Sequence, residues 1–226
     1  MWRTLKEESI WVGEVKDRRK NGELYISLST LIVIKDCDGN ITNYIGITRD
    51  VTDMKRAENH IKSLAYYDPL TDLPNRTLFN DRLEQNIIYC KRNEGKIALL
   101  FIDLDNFKSV NDIHGHHMGD MLLQKVAKIF TSSVRGSDTV SRLGGDEFTI
   151  ILRKIHDRDD VIKVANIIIE KLMNPIVIND IPLEIGSSIG AAIFPDDTQD
   201  NETLMKMADI AMYEAKKRGK NRFEIF

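Results

Sequence analysis

The feature that most restricts the fold is an unbroken apolar run, Ile97 to Ile102, that ends in an acidic residue, Asp103. Such a run is typical of a buried strand, and it is far shorter than the roughly 20 residues that a membrane-spanning helix needs. The chain contains no longer uninterrupted apolar run. We therefore expect a buried strand that carries the Asp103 carboxylate to the edge of a sheet.

Helical and strand-like segments alternate around this strand. The predicted helices cover 76–92, 117–133, Val161 to Leu172 and Leu204 to Ala215, and the predicted strands cover 138–142, 147–152, parts of 176–193 and Phe223 to Phe226. Alternation of this kind predicts an α/β or α+β sandwich, in which helices pack on one mixed sheet.

The first 52 residues have a different pattern, because they read as strands. Apolar or β-branched residues recur at every second position from Leu24 to Ile34, and Asp38-Gly39 is a hairpin signal before a second strand, Ile41 to Arg49. A sheet this small needs a partner surface. A helix over 53–66 follows, with Met54, Ala57, Ile61 and Leu64 at heptad spacing, and it would connect two modules.

Composition excludes several classes of protein. The 226 residues allow one domain with an appendage or two small domains, and the net charge of −3 argues against a non-specific nucleic-acid binder. Cys37 and Cys90 form no CxxC pair, which argues against a disulfide framework and for a reducing cytosol. We expect a cytoplasmic chain, with any membrane attachment lying outside it.

Acidic residues mark two predicted strand ends. Asp103 and Asp105 follow the buried strand, and Asp146-Glu147 follows the glycine pair Gly144-Gly145. If the two strands are adjacent, one carboxylate from each would meet, and carboxylates together with substrate phosphates commonly hold Mg²⁺. Because side chains alternate along a strand, we expect Asp103 and Asp105 not to face the same ion. Taken alone, the motif Gly144-Gly145-Asp146-Glu147 is more simply interpreted as a β-hairpin whose two acidic side chains are exposed to solvent at its tip.

Five ordered motifs together resemble the GGDEF family of diguanylate cyclases. They are Asp68 to Arg76, Phe101 to Lys108, Asn111 to Asp120, Leu143 to Phe148 and Tyr213 to Asn221. The resemblance covers about residues 66–226. It implies an α+β fold with a central mixed, mainly antiparallel sheet flanked by helices, as in nucleotidyl cyclases and polymerase palm domains. It also implies that a homodimer condenses two GTP into cyclic di-GMP and two pyrophosphates.

The resemblance assigns roles to particular residues. Mg²⁺, or Mn²⁺ in its place, would be held by Asp103, the Leu104 carbonyl, Asp146 and Glu147, the last two also being catalytic. GTP would contact Phe107, Lys108, Asn111, His116, Asp120, Gly144, Gly145, Lys216 and Lys220. Asn111 and Asp120 would read guanine, which adenine cannot match. Lys220 stands where the family usually has Arg, so we expect altered phosphate contact rather than loss of activity.

Two further resemblances concern regulation. Arg135 and Asp138 match the family's RxxD product-inhibition site, although Asn166 stands where a second Arg is common, which weakens the expectation of tight inhibition. Residues 1–52 resemble the C-terminal strands of a PAS sensor domain, on the segments Trp11 to Glu14, Arg19 to Tyr25 and Asp38 to Thr52. The implied order is a partial PAS domain over 1–52, a signalling helix over 53–67 and a cyclase over 68–226.

Other interpretations remain open. The first alternative is a catalytically silent module that binds GTP or cyclic di-GMP. The second is a cyclase that also accepts ATP, and the third is a dimerising sensor fragment whose output lies elsewhere. Retention of Asp103, Asp146 and Glu147 argues against the first, and Asp120 argues for GTP. The histidines His114, His116 and His117 give only a weak signal for zinc, since no cysteine lies nearby. The methionines Met205, Met207 and Met212 indicate core packing.

Overall fold

The structure is a computed structural model that describes residues 2–226. The chain divides into two compact units, one ending at Ser63 and the other spanning Leu64–Phe226. Among the described residues, no helix is both long enough and apolar enough to span a membrane.

The first unit is a three-stranded antiparallel sheet with a helix at each end. Its elements are α1 (Trp2–Glu8), β1 (Ile10–Arg18), β2 (Leu24–Lys35), β3 (Ile41–Asp50) and the larger part of α2 (Thr52–Tyr66). The strands pair in the order β1-β2-β3. The prediction of strands alone over 1–52 was wrong at α1, where Leu5 is buried and anchors the short helix. The predicted helix over 53–66 is confirmed as α2.

The apolar face of this small sheet is its exposed face. Leu24 and Leu28 on β2 are 61% and 42% exposed, whereas Ser27 and Ser29, which point to the opposite face, are buried. Ile45 and Ile47 on β3 pair with the same face of β2 and are also exposed. The period-two pattern therefore marks a surface without a covering partner among the described residues of this unit.

The second unit contains the remaining five helices and seven strands among residues 64–226. They are α3 (Arg76–Asn93), β4 (Ile97–Asp105), α4 (Phe107–His114), α5 (His116–Thr131), β5 (Thr139–Gly144), β6 (Glu147–Arg153), α6 (Arg158–Met173), β7 (Ile176–Ile178), β8 (Ile181–Leu183), β9 (Gly186–Phe194), α7 (Asn201–Lys217) and β10 (Arg222–Ile225).

Five of these strands form one sheet in the order β10-β9-β4-β6-β5. The central strand, β4, pairs antiparallel with β6 and β9, and β10 runs parallel to β9. This arrangement confirms the predicted α+β fold with a mixed, mainly antiparallel sheet. Hydrophobic layers cover both faces, with Leu100 and Ile102 against the α5 and α6 side and Leu99 and Phe101 against the α3 and α7 side.

Two features near the end of β4 differ from the predictions. The strand continues to Asp105, because the acids Asp103 and Asp105 extend the pairing with β9. The motif Asn111 to Asp120, which the resemblance assigns to guanine, lies in two helices, α4 and α5, separated by Gly115 with φ of 82°. The helix predicted over 117–133 is therefore α5, and α4 was not predicted. Burial of Phe107 and Val110 stabilises α4, whose eight residues are too few to form a stable helix alone.

Candidate functional site

Antiparallel pairing brings the two acidic motifs together at one end of the sheet. Asp103 on β4 lies directly opposite Glu147 on β6, so that their side chains point to the same face. The Leu104 amide donates a hydrogen bond to the Asp146 carbonyl at 3.3 Å. The β4–β6 contact therefore joins the end of the buried strand to the turn that carries Asp146.

The Asp103 carboxylate is only 14% exposed and lies next to a lysine from α7. The Lys216 ammonium is 2.7 Å from Asp103 Oδ2. Burial raises the pKa of Asp103 above its ordinary value, the nearby Asp146 and Asp105 carboxylates raise it further, and Lys216 acts in the opposite direction. The site thus concentrates negative charge in a partly dry place, which favours a bound cation.

Asp105 has a structural role that the alternation argument missed. Residues two apart on a strand point to the same face, so alternation does not separate Asp105 from Asp103. Different partners separate them instead. The Asp105 carboxylate is buried and accepts hydrogen bonds from Ser188 Oγ and from the Asn221 amide, both at 2.8 Å. Asp105 thereby fixes the turn after α7 beside the end of β4.

This turn places Lys220 near the start of α4. The Lys220 ammonium donates to Asn106 Oδ1 at 2.8 Å. Gly219, Lys220 and Asn221 all have positive φ, a tight turn that directs the lysine back toward β4. Lys216 and Lys220 therefore both reach the end of β4. Lys216 contacts an anionic carboxylate, that of Asp103, and Lys220 contacts the neutral amide oxygen of Asn106.

A buried arginine that the sequence analysis missed supports the glycine turn. Arg142 donates through Nε and Nη2 to the Gly145 carbonyl at 3.0 and 2.8 Å, and through Nη1 to both carboxylate oxygens of Asp68 at 2.9 Å. Gly145 has a left-handed φ of 54°, which favours glycine. The only signal in the sequence was an arginine two residues before the glycine pair.

A second missed cation lies beside Glu147. Arg76 Nη2 is 3.7 Å from the Glu147 carboxylate, and the arginine is 57% exposed. It begins α3, directly after Asn75, whose side chain caps that helix and also donates to the Ala65 carbonyl. The motif Asp68 to Arg76 thus contacts both the glycine turn and the acid that follows it.

The residues expected to read guanine surround the junction of α4 and α5. Asn111 is half-buried, Asp120 and His116 are exposed at the start of α5, and Lys108 is exposed on α4. A Cβ added to Gly119 would lie 1.9 Å from Asn111 Oδ1. The missing side chain of Gly119 therefore makes room for the Asn111 amide, a requirement that the sequence analysis did not identify.

Arg135 and Asp138 lie at the other end of β5 from the glycine turn, about 20 Å away at 3.3 Å per residue. Asp138 accepts hydrogen bonds from the Arg135 and Arg153 amides, both at 3.0 Å, so it holds this loop in shape. A cavity of about 380 Å³ is lined by Arg135, Arg153 and Lys163. Asn166 is absent from that lining, whereas Lys163, one turn earlier on α6, lines the cavity and lies 3.7 Å from the Asp160 carboxylate, which lines it too.

The donor set at the β4 end suits a hard cation that shares its ligands with a substrate. Within residues 2–226, no three acidic, histidine or cysteine side chains converge closely enough to hold an ion unaided. Carboxylate oxygens from Asp103 and Asp146 fit Mg²⁺, which usually binds through one or two carboxylates plus phosphates or water. The histidines at 114, 116 and 117 do not form such a group.

Comparison with known proteins places the second unit in a family. Residues 65–222 match the family described as "Diguanylate cyclase, GGDEF domain". The chain is 43% identical over 175 residues to a bifunctional diguanylate cyclase/cyclic di-GMP phosphodiesterase, MucR of Pseudomonas aeruginosa, a match covering 77% of this chain and 25% of MucR. The chain thus spans about a quarter of that relative's length.

Solved structures show the same fold. The GGDEF domain of TpbB from Pseudomonas aeruginosa superposes with a TM-score of 0.69 at 35% identity, covering 71% of this chain and 94% of that one. The coiled coil and GGDEF domain of DgcB from Caulobacter crescentus, in complex with c-di-GMP, gives a TM-score of 0.69 at 26% identity, covering 78% and 93%. The chain therefore belongs to the GGDEF family of diguanylate cyclase domains.

Proposed function

We propose that the Leu64–Phe226 unit is an active diguanylate cyclase that condenses two GTP molecules into cyclic di-GMP and releases two pyrophosphates. The observation that carries this proposal is the largely buried Asp103 carboxylate, held by strand pairing beside Glu147 and the turn at Asp146. All three acids are present in a partly shielded place where burial raises the pKa of Asp103. Such a charge concentration is useful for holding a cation and is costly without one.

Asp103, Asp146, Glu147 and the Leu104 carbonyl would hold Mg²⁺, or Mn²⁺ in its place. The bound ion would neutralise charge on the transferred phosphoryl group and on the attacking oxygen. Asp146, just before β6, and Glu147, its first residue, would accept the proton from the attacking ribose 3′-hydroxyl. Arg142 and Arg76 would keep this turn and its acids in position.

The triphosphate would lie over the glycine turn. Gly144 and Gly145 have no Cβ, so the backbone can approach phosphate oxygens closely. Lys108, Lys216 and Lys220 would offset the negative charge of the nucleotide and of the leaving pyrophosphate. Lys220 offers a point charge in place of the bidentate fork of an arginine, so its contact with phosphate would be less directional.

Guanine would bind at the junction of α4 and α5, beside Phe107 and His116. The Asp120 carboxylate can accept from guanine N1–H and from its exocyclic amine, and the Asn111 amide would complete the reading of the base. A site built on these pairings rejects adenine, since its own polar groups would be left unpaired. These hydrogen bonds favour GTP over ATP in the nucleotide site of each copy of the chain.

Catalysis would require two copies of the chain, because each domain binds one GTP and each 3′-hydroxyl attacks the other nucleotide. The heptad positions Met54, Ile61 and Leu64 on α2 are 58%, 66% and 54% exposed. An apolar stripe at this spacing can pair with the same stripe of a second copy. The helix would then control how two cyclase domains face each other.

Regulation would act from two places. The first unit would be the C-terminal part of a PAS sensor, which passes its signal through α2. The Arg135 cavity, remote from the glycine turn, would bind cyclic di-GMP and restrain the enzyme, with Arg153 and Lys163 as further cations. We place this activity in the cytoplasm.

One observation favours the alternative of a silent module that binds GTP or cyclic di-GMP. The Lys216 ammonium already pairs with Asp103, so the acid has a cation without any metal. A module of this kind would bind nucleotide without turnover. Measured turnover would rule it out.

The test is incubation of the purified chain with GTP and Mg²⁺, with the products separated by chromatography. We expect cyclic di-GMP and pyrophosphate, formed in a ratio of one to two. The alternative predicts bound but unchanged GTP. Replacement of GTP by ATP should give no cyclic product.

A further inference from the structure

The ion pair between Lys216 and Asp103 joins two residues that would have different partners during the proposed reaction. Their charged atoms are 2.7 Å apart, and the side chains are 30% and 14% exposed. Attraction at this distance is strong where water is largely excluded. During the reaction, however, Asp103 would bind the metal ion and Lys216 would bind the triphosphate. Metal and lysine therefore compete for the same carboxylate.

We propose that Lys216 is an internal competitor of the metal ion, which makes metal and nucleotide bind cooperatively. This inference rests on the proposed function. Without nucleotide, a divalent cation must approach an acid that is already neutralised by a fixed positive charge. With nucleotide, the phosphates give Lys216 a new partner, and Asp103 becomes free to bind the ion.

The consequence is an order of loading. Because coupling between two ligands is reciprocal, the nucleotide raises metal affinity by the same factor as the metal raises nucleotide affinity. Asp103, Asp146 and Glu147 would thus bind little divalent cation until GTP binds, and the metal ion would bind together with the triphosphate.

Lys220 provides a matched control for this idea. It reaches the same end of β4, but its ammonium lies 2.8 Å from Asn106 Oδ1, a neutral amide oxygen. Both lysines would contact phosphate, yet only Lys216 neutralises a proposed metal ligand. Loss of either charge should weaken nucleotide binding, whereas only loss of Lys216 should strengthen binding of the metal alone.

The experiment is a titration with Mn²⁺ in the absence of nucleotide, with free Mn²⁺ measured by electron paramagnetic resonance. It compares the wild-type chain with Lys216→Met, Lys216→Gln, Lys216→Arg and Lys220→Met. The titrations are run at about pH 8, well above the ordinary carboxyl pKa of about 4, because burial raises the pKa of Asp103. The same titrations are then repeated with a GTP analogue that cannot release pyrophosphate.

We expect Lys216→Met and Lys216→Gln to bind Mn²⁺ more tightly by on the order of tenfold, the scale on which an opposite charge changes the proton affinity of a carboxylate. Lys216→Arg, which keeps the charge, and Lys220→Met should match the wild type. The GTP analogue should increase Mn²⁺ affinity more in the wild type than in Lys216→Met.

Equal or weaker Mn²⁺ binding in both neutral Lys216 variants would overturn the inference and leave the cyclase proposal intact. Absence of Mn²⁺ binding in every protein, with and without the analogue, would contradict the proposed metal site itself. The two neutral side chains differ in shape and polarity, so misfolding of one still leaves the comparison available through the other.

Discussion

Arg142 and Asp68 form an ion pair in which one arginine nitrogen, Nη1, donates to both carboxylate oxygens at 2.9 Å. The two side chains are 10% and 16% exposed. Because the remaining donors of Arg142 hold the Gly145 carbonyl, this pair connects the segment that follows α2 to the turn before Asp146. A displacement of Asp68 would therefore move Arg142 and, through it, the turn at Gly144 and Gly145.

Replacing Asp68 by asparagine should destabilise the second unit by about 2 kcal/mol at neutral pH, because a largely buried guanidinium loses its charged partner. Burial raises the pKa of Asp68, but hydrogen bonds from Thr71 and the Arg142 ion pair together outweigh it and lower the pKa. The stabilisation is thus present above the ordinary carboxyl pKa, near about 4, and is lost as the pH falls through the lowered value.

Urea-induced unfolding, followed by circular dichroism, measures this difference. The gap between wild type and Asp68→Asn should be largest near neutral pH and should shrink in acid. A gap that stays constant into strong acid would show that the ion pair contributes little.

Replacing Gly119 by alanine should displace the Asn111 side chain, since the added Cβ would lie 1.9 Å from Asn111 Oδ1. We expect Gly119→Ala and Asn111→Ala each to weaken binding of a GTP analogue by about tenfold, the loss of roughly one good hydrogen bond. The double variant should show no further loss, because both changes remove the same contact.

Calorimetric titration of the analogue measures these affinities. Gly95→Ala is the control, as an added Cβ there would meet nothing closer than 3.6 Å. Additive losses in the double variant would mean that Gly119 acts on nucleotide binding by another route.

Replacing Lys163 by alanine should relieve product inhibition. Lys163 lines the cavity with Arg135, whereas Asn166, which stands where the family often has a second arginine, does not line it. We predict an inhibitory concentration of cyclic di-GMP that is roughly three- to tenfold higher, as expected for loss of one partly exposed charge contact. Lys125→Ala, an exposed lysine on α5, serves as the control. Unchanged inhibition in Lys163→Ala would place the product elsewhere.

Replacing Ile61 by aspartate should disrupt the dimer, because it introduces a charge in the middle of the exposed heptad stripe on α2. The matched control is His60→Asp, which introduces the same charge at an exposed position next to Ile61 but outside the apolar stripe. Analytical ultracentrifugation should show a monomer for Ile61→Asp and an unchanged dimer for His60→Asp. Cyclase activity per chain should fall with the loss of the dimer.

The sequence predicted the fold well wherever burial produces a continuous apolar run or a regular spacing of apolar residues. The run from Ile97 to Ile102 identified the central strand, and the helical spacing from Leu204 to Ala215 identified α7. Predictions failed where tertiary contacts override local pattern. The helix α4 has only eight residues and depends on burial of Phe107 and Val110. The strand β4 extends to Asp105 through pairing with β9.

The candidate site was less predictable, since its supporting residues have no periodic signal. Resemblance to the family identified the acids and lysines, and their grouping depends on the β4–β6 pairing. Arg142 and Arg76 act through ion pairs with residues distant in sequence, Asp68 and Glu147. Gly119 acts through the space that it leaves for Asn111, which depends on how α4 and α5 meet. The ion pair of Lys216 with Asp103 likewise requires α7 to lie against β4, which only the folded chain shows.

The most direct measurement is the initial rate of cyclic di-GMP formation by the wild type and by Asp146→Ala, at GTP concentrations that saturate both. Binding of the GTP analogue is measured separately for each protein. We predict steady formation of cyclic di-GMP by the wild type, and retained binding with turnover reduced by several orders of magnitude in Asp146→Ala. Equal rates in the two proteins, or a wild type that binds GTP without ever converting it, would contradict the account.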